Sequence, residues 1–371
     1  MKMMKMMIMK KMIMVKMKMM EMMVEMMKEM EAMMKEMEME MKMVMTMEVM
    51  KKVAKRHGLE CLLHEKPFAG VNGSGKHNNW SMSTDAGENL LEPGNTPESN
   101  AQFLLFLTAI LKAVDENQDL LRISVASAGN DHRLGANEAP PAVISIFLGD
   151  ELTAILDAIE TDTPYAGVEK KKIRLGADVL PRFTRDTTDR NRTSPFAFTG
   201  NKFEFRSLGS SASIAGCNII LNTIVAQSLS DYADKLEKAD DFDAALDELI
   251  RSEVIKHKRI LFNGNGYGEE WVKEATEVRG LSNLKTTADA MPHLLDEKNV
   301  TMLTAHKVFT ETELHSRCEI MLENYCKTVN IEGLTMVDMV RKNYLPAIEA
   351  YLFSLAQTTP YMKSIRNNVK C

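Results

Sequence analysis

The hydrophobic and polar positions of the chain predict strands and loops in its first half and helices in its second. Apolar residues at helical spacing predict helices over 49–60, 100–114, 139–159 (broken near Gly149), 215–229, 231–258, 268–278, 309–328 and 335–358. A short apolar run predicts a strand over 59–64. Residues 65–98 and 161–200, rich in turn formers, predict loops with short strands. Strands first and helices later favour an α+β fold over a parallel α/β sheet.

The first fifty residues have a different composition from the rest, because they hold 25 of the 32 methionines, mixed with Lys and Glu. All three residue types favour helix, so this segment predicts one. One interpretation is an amphipathic helix for a membrane surface or a partner. The other is a biased segment that replaces a natural N-terminus. The lack of a defined apolar face favours the second.

Charge and cysteine content narrow the class of protein. The net charge is −6 and the chain has no dominant basic patch, which argues against nucleic-acid binding. It has no run of 18 apolar residues, so we predict no membrane span. Lysines are scattered through the N-terminus and do not resemble a signal peptide. Five widely spaced cysteines without a CxxC pair predict free thiols and a cytoplasmic protein.

The first candidate site is the segment Asn72-Gly-Ser-Gly-Lys-His77 and its continuation to Ser81. Its glycines let a backbone approach a ligand closely. His77, Asn79 and Ser81 follow at period two, which places them on one face of a strand. That face is either a ligand-facing wall or the outer face of an ordinary edge strand, and spacing alone does not separate the two.

A second candidate is the alternating segment Lys202-Phe-Glu-Phe-Arg206. Its phenylalanines predict a core face, and the charged residues Lys202, Glu204 and Arg206 predict the opposite one. A row of charges is usually a solvated face. Four arginines in the preceding loop favour a phosphate site instead, in which Glu204 holds a divalent metal. These arginines are Arg182, Arg185, Arg190 and Arg192.

A third candidate is the loop that carries Arg133 and Glu138 ahead of Pro140-Pro141. Arginine binds carboxylates in a bidentate manner, so Arg133 predicts a carboxylate clamp. The alternative is an ordinary helix entrance, since proline suits the first turn. Residues 263–268, with three glycines, predict a loop and lack the flanks of a nucleotide-binding motif.

Together these segments resemble the glutamine synthetases. Lys66-Pro-x-x-Gly-x-Asn-Gly-Ser-Gly-x-His77 resembles a signature of that family, and Asn78-Asn-Trp-Ser81 resembles its type III variant. Arg133 to Pro140 is similar to the family's Arg-Leu-x-x-x-x-Glu-Ala-Pro element. Asn191-Arg192 and Phe203-Glu-Phe-Arg206 resemble a further pair. The resemblance runs from about residue 46 to the C-terminus and does not include residues 1–45.

The resemblance implies a fold, a reaction and a role for each matching residue. The fold is a glutamine synthetase-like α+β catalytic domain with antiparallel strands and a mostly helical C-terminal half, preceded by the methionine-rich helix. The reaction ligates ammonium to L-glutamate with ATP and Mg²⁺ or Mn²⁺ in a cytoplasmic, homo-oligomeric ring. The implied roles are metal binding for His77 and Glu204; glutamate binding for Asn72, Gly73, Arg133 and Arg206; ATP contacts for Asn79, Ser81 and Lys202; and catalysis for Glu138, Arg192 and Arg206.

The chain also departs from the family pattern. The N-terminal β-grasp domain and the further metal-binding glutamates that the family places before this region are not matched, and Ala197 stands where a second arginine is expected. We therefore expect an internal piece of a longer protein, with further chain beyond Cys371. Alternatives are a non-catalytic fragment that retains nucleotide binding or assembly contacts, and a related ATP-dependent ligase.

The predicted organisation has three parts. Residues 1–48 form the low-complexity segment, 49–230 the catalytic region and 231–371 a helical C-terminal region.

Overall fold

The structure is a computed structural model that describes residues 42, 45–136, 139–165, 167, 172–173, 183–184 and 193–368. Contacts divide the chain into two compact units, 1–63 and 64–371. The three-part division predicted from composition, with boundaries near residues 48 and 230, stays a prediction. Most of the methionine-rich helix lies outside the described residues. No helix in the described ranges is both long and apolar enough to cross a membrane.

In the first unit, residues 45–56 form helix α1. The helix ends before Gly58, whose φ of 70° is the left-handed conformation that glycine adopts freely. Residues 59–63 continue without strand pairing, so the strand predicted over 59–64 is wrong. A short apolar run fits an extended loop as well as a strand, and periodicity cannot distinguish them.

The second unit is α+β, as predicted. Its strands are β1 (Gly75–Trp80), β2 (Ile146–Phe147), β3 (Lys172–Ile173), β4 (Phe183–Thr184), β5 (Phe196–Phe198) and β6 (Phe203–Gly209). Its helices up to residue 257 are α2 (Ala101–Glu116), α3 (Gln118–Ile123), α4 (Ala128–Arg133), α5 (Gly149–Thr161), α6 (Ala215–Leu236) and α7 (Phe242–His257). The later helices are α8 (Glu269–Lys273), α9 (Thr287–Ala290), α10 (Glu297–Ala305), α11 (Glu311–Met339) and α12 (Leu345–Asn368).

Four of the strands form one sheet in the order β1-β6-β5-β2. β1 and β5 each pair with β6 in antiparallel fashion, and β2 joins β5 in parallel. Phenylalanines cover one face of the sheet: the rings of Phe196 and Phe203 stack with centroids 4.7 Å apart, and Phe205 meets Phe196 edge-on. This confirms the core face that the alternation in 202–206 predicts.

Helix α2 packs in the core beside this sheet, with Leu107, Ile110 and Leu111 fully buried. It begins where predicted, because the side chain of Asn100 accepts a hydrogen bond from the amide of Phe103. Its extent, Ala101–Glu116, confirms the predicted helix over 100–114.

Two predicted helices were wrong in part. Residues 139–145 are not helical, because Pro141 biases the preceding residue towards extended backbone; the helix starts only at Gly149, whose φ is 81°. Asn263, in the predicted loop, caps it by accepting from the amides of Leu148 and Gly149. The helix predicted over 231–258 is divided, since α6 continues to Leu236 and α7 begins after its cap Asp241.

The C-terminal helices α11 and α12 are joined by a π-helical turn at Val340–Tyr344. Leu314 and Cys318 are buried near the start of α11 and Met321 and Leu322 pack partly against the core, whereas most apolar side chains after residue 328 are exposed. Exposed examples along both helices are Ile331, Leu334, Ile348, Tyr351, Leu352 and Phe353.

The four described cysteines are free thiols, as predicted. Burial raises the pKa of the Cys217 thiol to about 11.

A buried charge network joins α2 to α7. The ring of His257 is 1 % exposed, and its Nδ1 lies 2.8 Å from Asp115 Oδ2. Its Nε2 lies 3.3 Å from Glu253 Oε2. Burial alone would lower the pKa of His257, but the hydrogen bond to Asp115 and the nearby carboxylate of Glu253 outweigh burial and raise it. Burial likewise opposes ionisation of Glu253, yet His257 and Lys235 lower its pKa to about 2.

The stability of this network should depend on pH. A histidine whose folded pKa is raised contributes its stability below its unfolded pKa of about 6.5 and loses it as pH rises through the folded pKa. Glu253 contributes above its unfolded value and loses it as pH falls towards about 2. We therefore expect His257→Gln to lower the free energy of unfolding by about 3 kcal/mol near pH 6, and by less as pH rises.

Urea unfolding of the variant and the wild type between pH 5 and 9 measures this difference. The exposed His315 provides the matched control, His315→Gln. A loss of stability by His257→Gln that is independent of pH would contradict a charged His257.

Candidate functional site

The strand β1 is fixed at the sheet edge by two inward side chains. Asn78 donates to Asn218 Oδ1 at 2.8 Å, and Trp80 Nε1 donates to Asn222 Oδ1 at 2.9 Å, both partners lying on α6. Asn78 and Trp80 are buried, whereas His77 is half-buried and Asn79 is exposed. The outward face therefore carries His77 and Asn79, which agrees with the predicted period of two.

A break in the strand register sets the position of His77. Lys76 pairs with Leu208 and Asn78 with Phe205, so the register shifts between these two pairs and β6 has one more residue there than β1. Bulges re-aim side chains and are common beside functional sites. His77 Nδ1 comes to lie 3.6 Å from Glu204 Oε2 on β6. Sequence spacing alone did not give this contact, because the two residues are far apart along the chain.

Glu204 also accepts a hydrogen bond from Arg206 Nε, at 3.1 Å to the same Oε2 atom. Arg206 is 4 % exposed, and its backbone amide donates to Pro195 O. The sheet therefore brings an imidazole, a carboxylate and a guanidinium together, as the predicted site requires. Glu204 Oε2 lies next to both His77, from the first candidate segment, and Arg206, from the second.

The pair His77 and Glu204 has the chemistry of a partial metal site. Imidazole nitrogen and carboxylate oxygen both bind divalent transition metals at about 2.0–2.2 Å, and a separation of 3.6 Å suits two donors on one ion. Their side chains are 30 % and 21 % exposed, so an ion can reach both. Mg²⁺ prefers six ligands, which leaves room for waters and phosphate oxygens.

Residues predicted to contact ATP lie on the same two strands and in the turn before β6. Ser81 Oγ hydrogen-bonds Asn89 Oδ1 and Asn201 O, each at 2.9 Å, and so ties the end of β1 to the turn before β6. Lys202 is half-buried in that turn. Asn79 pairs with Glu204 across the two strands. Asn79 therefore lies next to Glu204, whereas Ser81 and Lys202 lie at the Trp80 end of the strand pair, and the role of all three in binding ATP stays a prediction.

Arg133 lies beneath the glycine loop Asn72–Gly75, at the end of α4. It is 2 % exposed, and its Nη1 and Nη2 donate to the backbone oxygens of Ser207 and Arg206 at 3.3 and 3.1 Å. The loop covers it so closely that a Cβ on Gly75 would lie 2.0 Å from Nη2. Burial lowers the pKa of Arg133, while the negative charge of Glu65 opposes that effect.

In this arrangement Arg133 supports the loop. Most of its guanidinium donors are taken by protein carbonyls, and the loop stands between it and the outside. Its predicted role as a carboxylate clamp stays a prediction, and it requires the loop to move. The loop itself is accessible, since Asn72 is exposed and Gly73 is half-buried.

Glu65 and Asn130 complete this support, and sequence reasoning missed both. Asn130 is 1 % exposed and bridges Val125 O and Ser207 O through its Nδ2, while its Oδ1 accepts from Arg133. Glu65 is 5 % exposed and directly precedes the Lys66-Pro signature. The only available signal was an acid next to a glycine-rich motif, which does not indicate burial.

Glu138 and Arg192, two of the predicted catalytic residues, lie outside the described residues. So do Arg182, Arg185 and Arg190 of the predicted arginine-rich loop. The structure therefore assigns no position to the predicted flap glutamate or to the arginines before β5.

A cavity of about 1070 Å³ lies elsewhere, between the end of α2 and residues 280–305. Beside it Asp119, His293 and Asp296 bring ligand atoms within 4.8 Å of one another. Lys298 Nζ already lies 2.9 Å from Asp119, and His293 Nδ1 lies 2.8 Å from Asp296. This cluster is satisfied internally, and no motif residue lines the cavity, so the His77–Glu204 pair remains the candidate metal centre.

Comparison with known proteins agrees with these motifs. A family model described as glutamine synthetase, catalytic domain, matches residues 2–145, and one described as glutamine synthetase C-terminal domain matches residues 245–363. The first match begins earlier than the resemblance that the motifs indicated, which started near residue 46. A solved structure named "Apo GmaS without ligand" is 18% identical, with a TM-score of 0.31. The alignment covers 68% of this chain and 49% of the chain in that structure.

Three curated relatives are more similar. A glutamine synthetase from Butyrivibrio fibrisolvens is 49% identical over 88% of this chain and 47% of its own length. A type-3 glutamine synthetase from Dictyostelium discoideum is 48% identical, and the match covers 86% of this chain and 44% of the relative's length. A glutamine synthetase from Bacteroides fragilis is 45% identical over 86% and 45%. The chain thus spans about half the length of the curated relatives that it matches, and it belongs to the glutamine synthetase family.

Proposed function

We propose that this chain carries part of a type III glutamine synthetase site that ligates ammonia to L-glutamate at the expense of ATP. The observation that carries the proposal is the meeting of His77 and Glu204, whose ligand atoms are 3.6 Å apart across β1 and β6. Family membership supplies the reaction class. The geometry supports the proposal, because it brings two potential metal ligands within 3.6 Å of each other.

The proposed reaction has two steps. A γ-carboxylate oxygen of glutamate attacks the γ-phosphorus of ATP, and the bond from that phosphorus to ADP breaks. The nitrogen of ammonia then attacks the γ-carbonyl carbon, phosphate leaves, and the nitrogen loses a proton. Such chemistry depends mainly on positioning and charge neutralisation.

The residues of the chain divide this work between them. We propose that His77 and Glu204 hold Mg²⁺ or Mn²⁺, which when bound neutralises the ATP phosphates. Arg206, held by Glu204 at 3.1 Å, contributes positive charge near the transferred phosphoryl group. Asn79, Ser81 and Lys202 contact ATP, and Asn72 and Gly73 contact glutamate. Arg192 and Glu138 act as the transition-state cation and the flap residue that resemblance assigns.

The remaining expectations come from the family. We propose that the protein is cytoplasmic and that it assembles as a homo-oligomeric ring. The described helices α11 and α12 expose apolar side chains over a long surface, and exposed patches of that kind mark protein contacts.

The metal assignment predicts a shared effect of two substitutions. His77→Ala and Glu204→Gln should each weaken Mg²⁺-dependent ATP binding by about tenfold or more, because each removes a ligand from a site with few protein ligands. ATP binding measured by calorimetry with and without Mg²⁺ gives the effect.

The exposed His315 offers a matched control as His315→Ala. Unchanged Mg²⁺–ATP affinity in both site variants would remove the metal assignment. ATP- and Mg²⁺-dependent formation of γ-glutamyl hydroxamate by the wild type would establish catalysis. Nucleotide binding without turnover would favour a non-catalytic fragment, and turnover with a different acid would favour a related ligase.

The clamp role of Arg133 makes a separate prediction. If the loop opens and Arg133 binds the substrate carboxylate, Arg133→Lys should weaken glutamate binding about tenfold, because bidentate geometry is lost, and leave ATP binding unchanged. Equal losses for glutamate and ATP would instead indicate that Arg133 only supports the loop. Calorimetry with each ligand separates the two outcomes.

A further inference from the structure

A buried carboxylate lies directly under the candidate site. The side chain of Glu65 is 5 % exposed, and its Oε1 accepts hydrogen bonds from the amide of Ser211, at 3.2 Å, and from the Ser211 hydroxyl. Burial of a carboxylate is costly unless hydrogen bonds and nearby positive charge compensate it. Glu65 has both: burial lowers the pKa of Arg133, and the negative charge of the nearby Glu65 opposes that effect.

The surrounding backbone leaves space for this carboxylate. A Cβ on Gly129 would lie 2.7 Å from Glu65 Oε2, and a Cβ on Gly209 would lie 3.0 Å from Glu65 Cγ. Real Cβ atoms do not tolerate the first distance, and the second is tighter than ordinary contact. Glycine at the start of α4 and at the end of β6 therefore makes the pocket that Glu65 fills.

The backbone of Glu65 also holds the glycine loop. Its carbonyl oxygen accepts from the amide of Ser74 at 2.7 Å, in the centre of Asn72–Gly75. A Cβ on Gly73 would lie 2.8 Å from the same oxygen, so the loop packs directly on this peptide group. The carbonyl of Ser74 in turn accepts from Ser210 at 3.2 Å. Glu65 thus contacts the glycine loop through its main chain, and it contacts the segment after β6 through its side chain.

We propose that Glu65 is a positioning residue for the candidate site. Its carboxylate anchors Ser211 and balances the charge of Arg133, and through this anchor its carbonyl holds the loop that leads into His77. The consequence for ligands rests on the proposed function, whereas the effect on the loop does not. Glu65 acts through other residues and does not itself contact substrate.

The test must separate positioning from general stability. Glu65→Gln keeps the size and an acceptor oxygen but removes the negative charge that acts on the buried Arg133. We expect hydrogen exchange of the amides in 73–76 to accelerate about tenfold, while exchange in the core of α2 changes less than about twofold. Glu92→Gln, at an exposed glutamate, is the control and should leave both rates unchanged.

A milder variant covers the case in which Glu65→Gln does not fold. Ser211→Ala removes the hydroxyl donor and should accelerate exchange of the loop by about two- to fivefold. If both variants fold, the loop amides of the Glu65→Gln/Ser211→Ala double variant should exchange at nearly the same rate as those of Glu65→Gln, because the two residues form one interaction.

Unchanged loop exchange in either variant overturns the proposal. So does an equal acceleration in the loop and in α2, which would mean that Glu65 contributes stability alone. Selective acceleration of the loop supports it, with Mg²⁺–ATP affinity then expected to weaken about tenfold in Glu65→Gln. If wild-type protein binds no Mg²⁺–ATP but the exchange result holds, the proposed function fails while the positioning role stands.

Discussion

The antiparallel pairing of β1 with β6 is the constraint on which the candidate site depends. It places the strand that follows the glycine loop against the strand that carries Glu204 and Arg206. The inward side chains of this strand pair are held in place. Phe203 and Phe205 are buried in the core, and Asn78 donates a hydrogen bond to Asn218 on α6. Because side chains alternate across a sheet, fixing the inward set also fixes the outward one.

Buried polar groups beneath this pair set where the loop lies. Arg133 and Asn130 bind the carbonyl oxygens of β6, and Glu65 binds the segment that follows it. A further ion pair, between the buried Arg122 and the half-buried Asp131, connects α3 and α4 to Thr287 in α9. Such groups have to be satisfied when they leave water, so each of them restricts the elements that supply its partners.

Much of the fold could be predicted from the sequence where a strong local pattern coincides with burial. The helix that became α2 has apolar spacing and an Asn cap, and the alternation in 202–206 gave both faces of β6. Errors arose where two local signals compete. Pro141 prevented helix in an apolar segment, and the turn before Asp241 divided a continuous amphipathic pattern. The short run at 59–64 had no periodicity that could decide between strand and loop.

The sequence by itself determined the family, the α+β class and the residues with site chemistry, because glycine spacing, strand alternation and helical periodicity are local properties of the chain. The resemblance implied that His77 and Glu204 both bind metal, but only the tertiary structure showed the register of β1 and β6 that brings them 3.6 Å apart. It also decided that Arg133 is buried under the loop and that Glu65 lies beside it. Burial of a charged side chain depends on partners distant in sequence, since only those partners offset the loss of water.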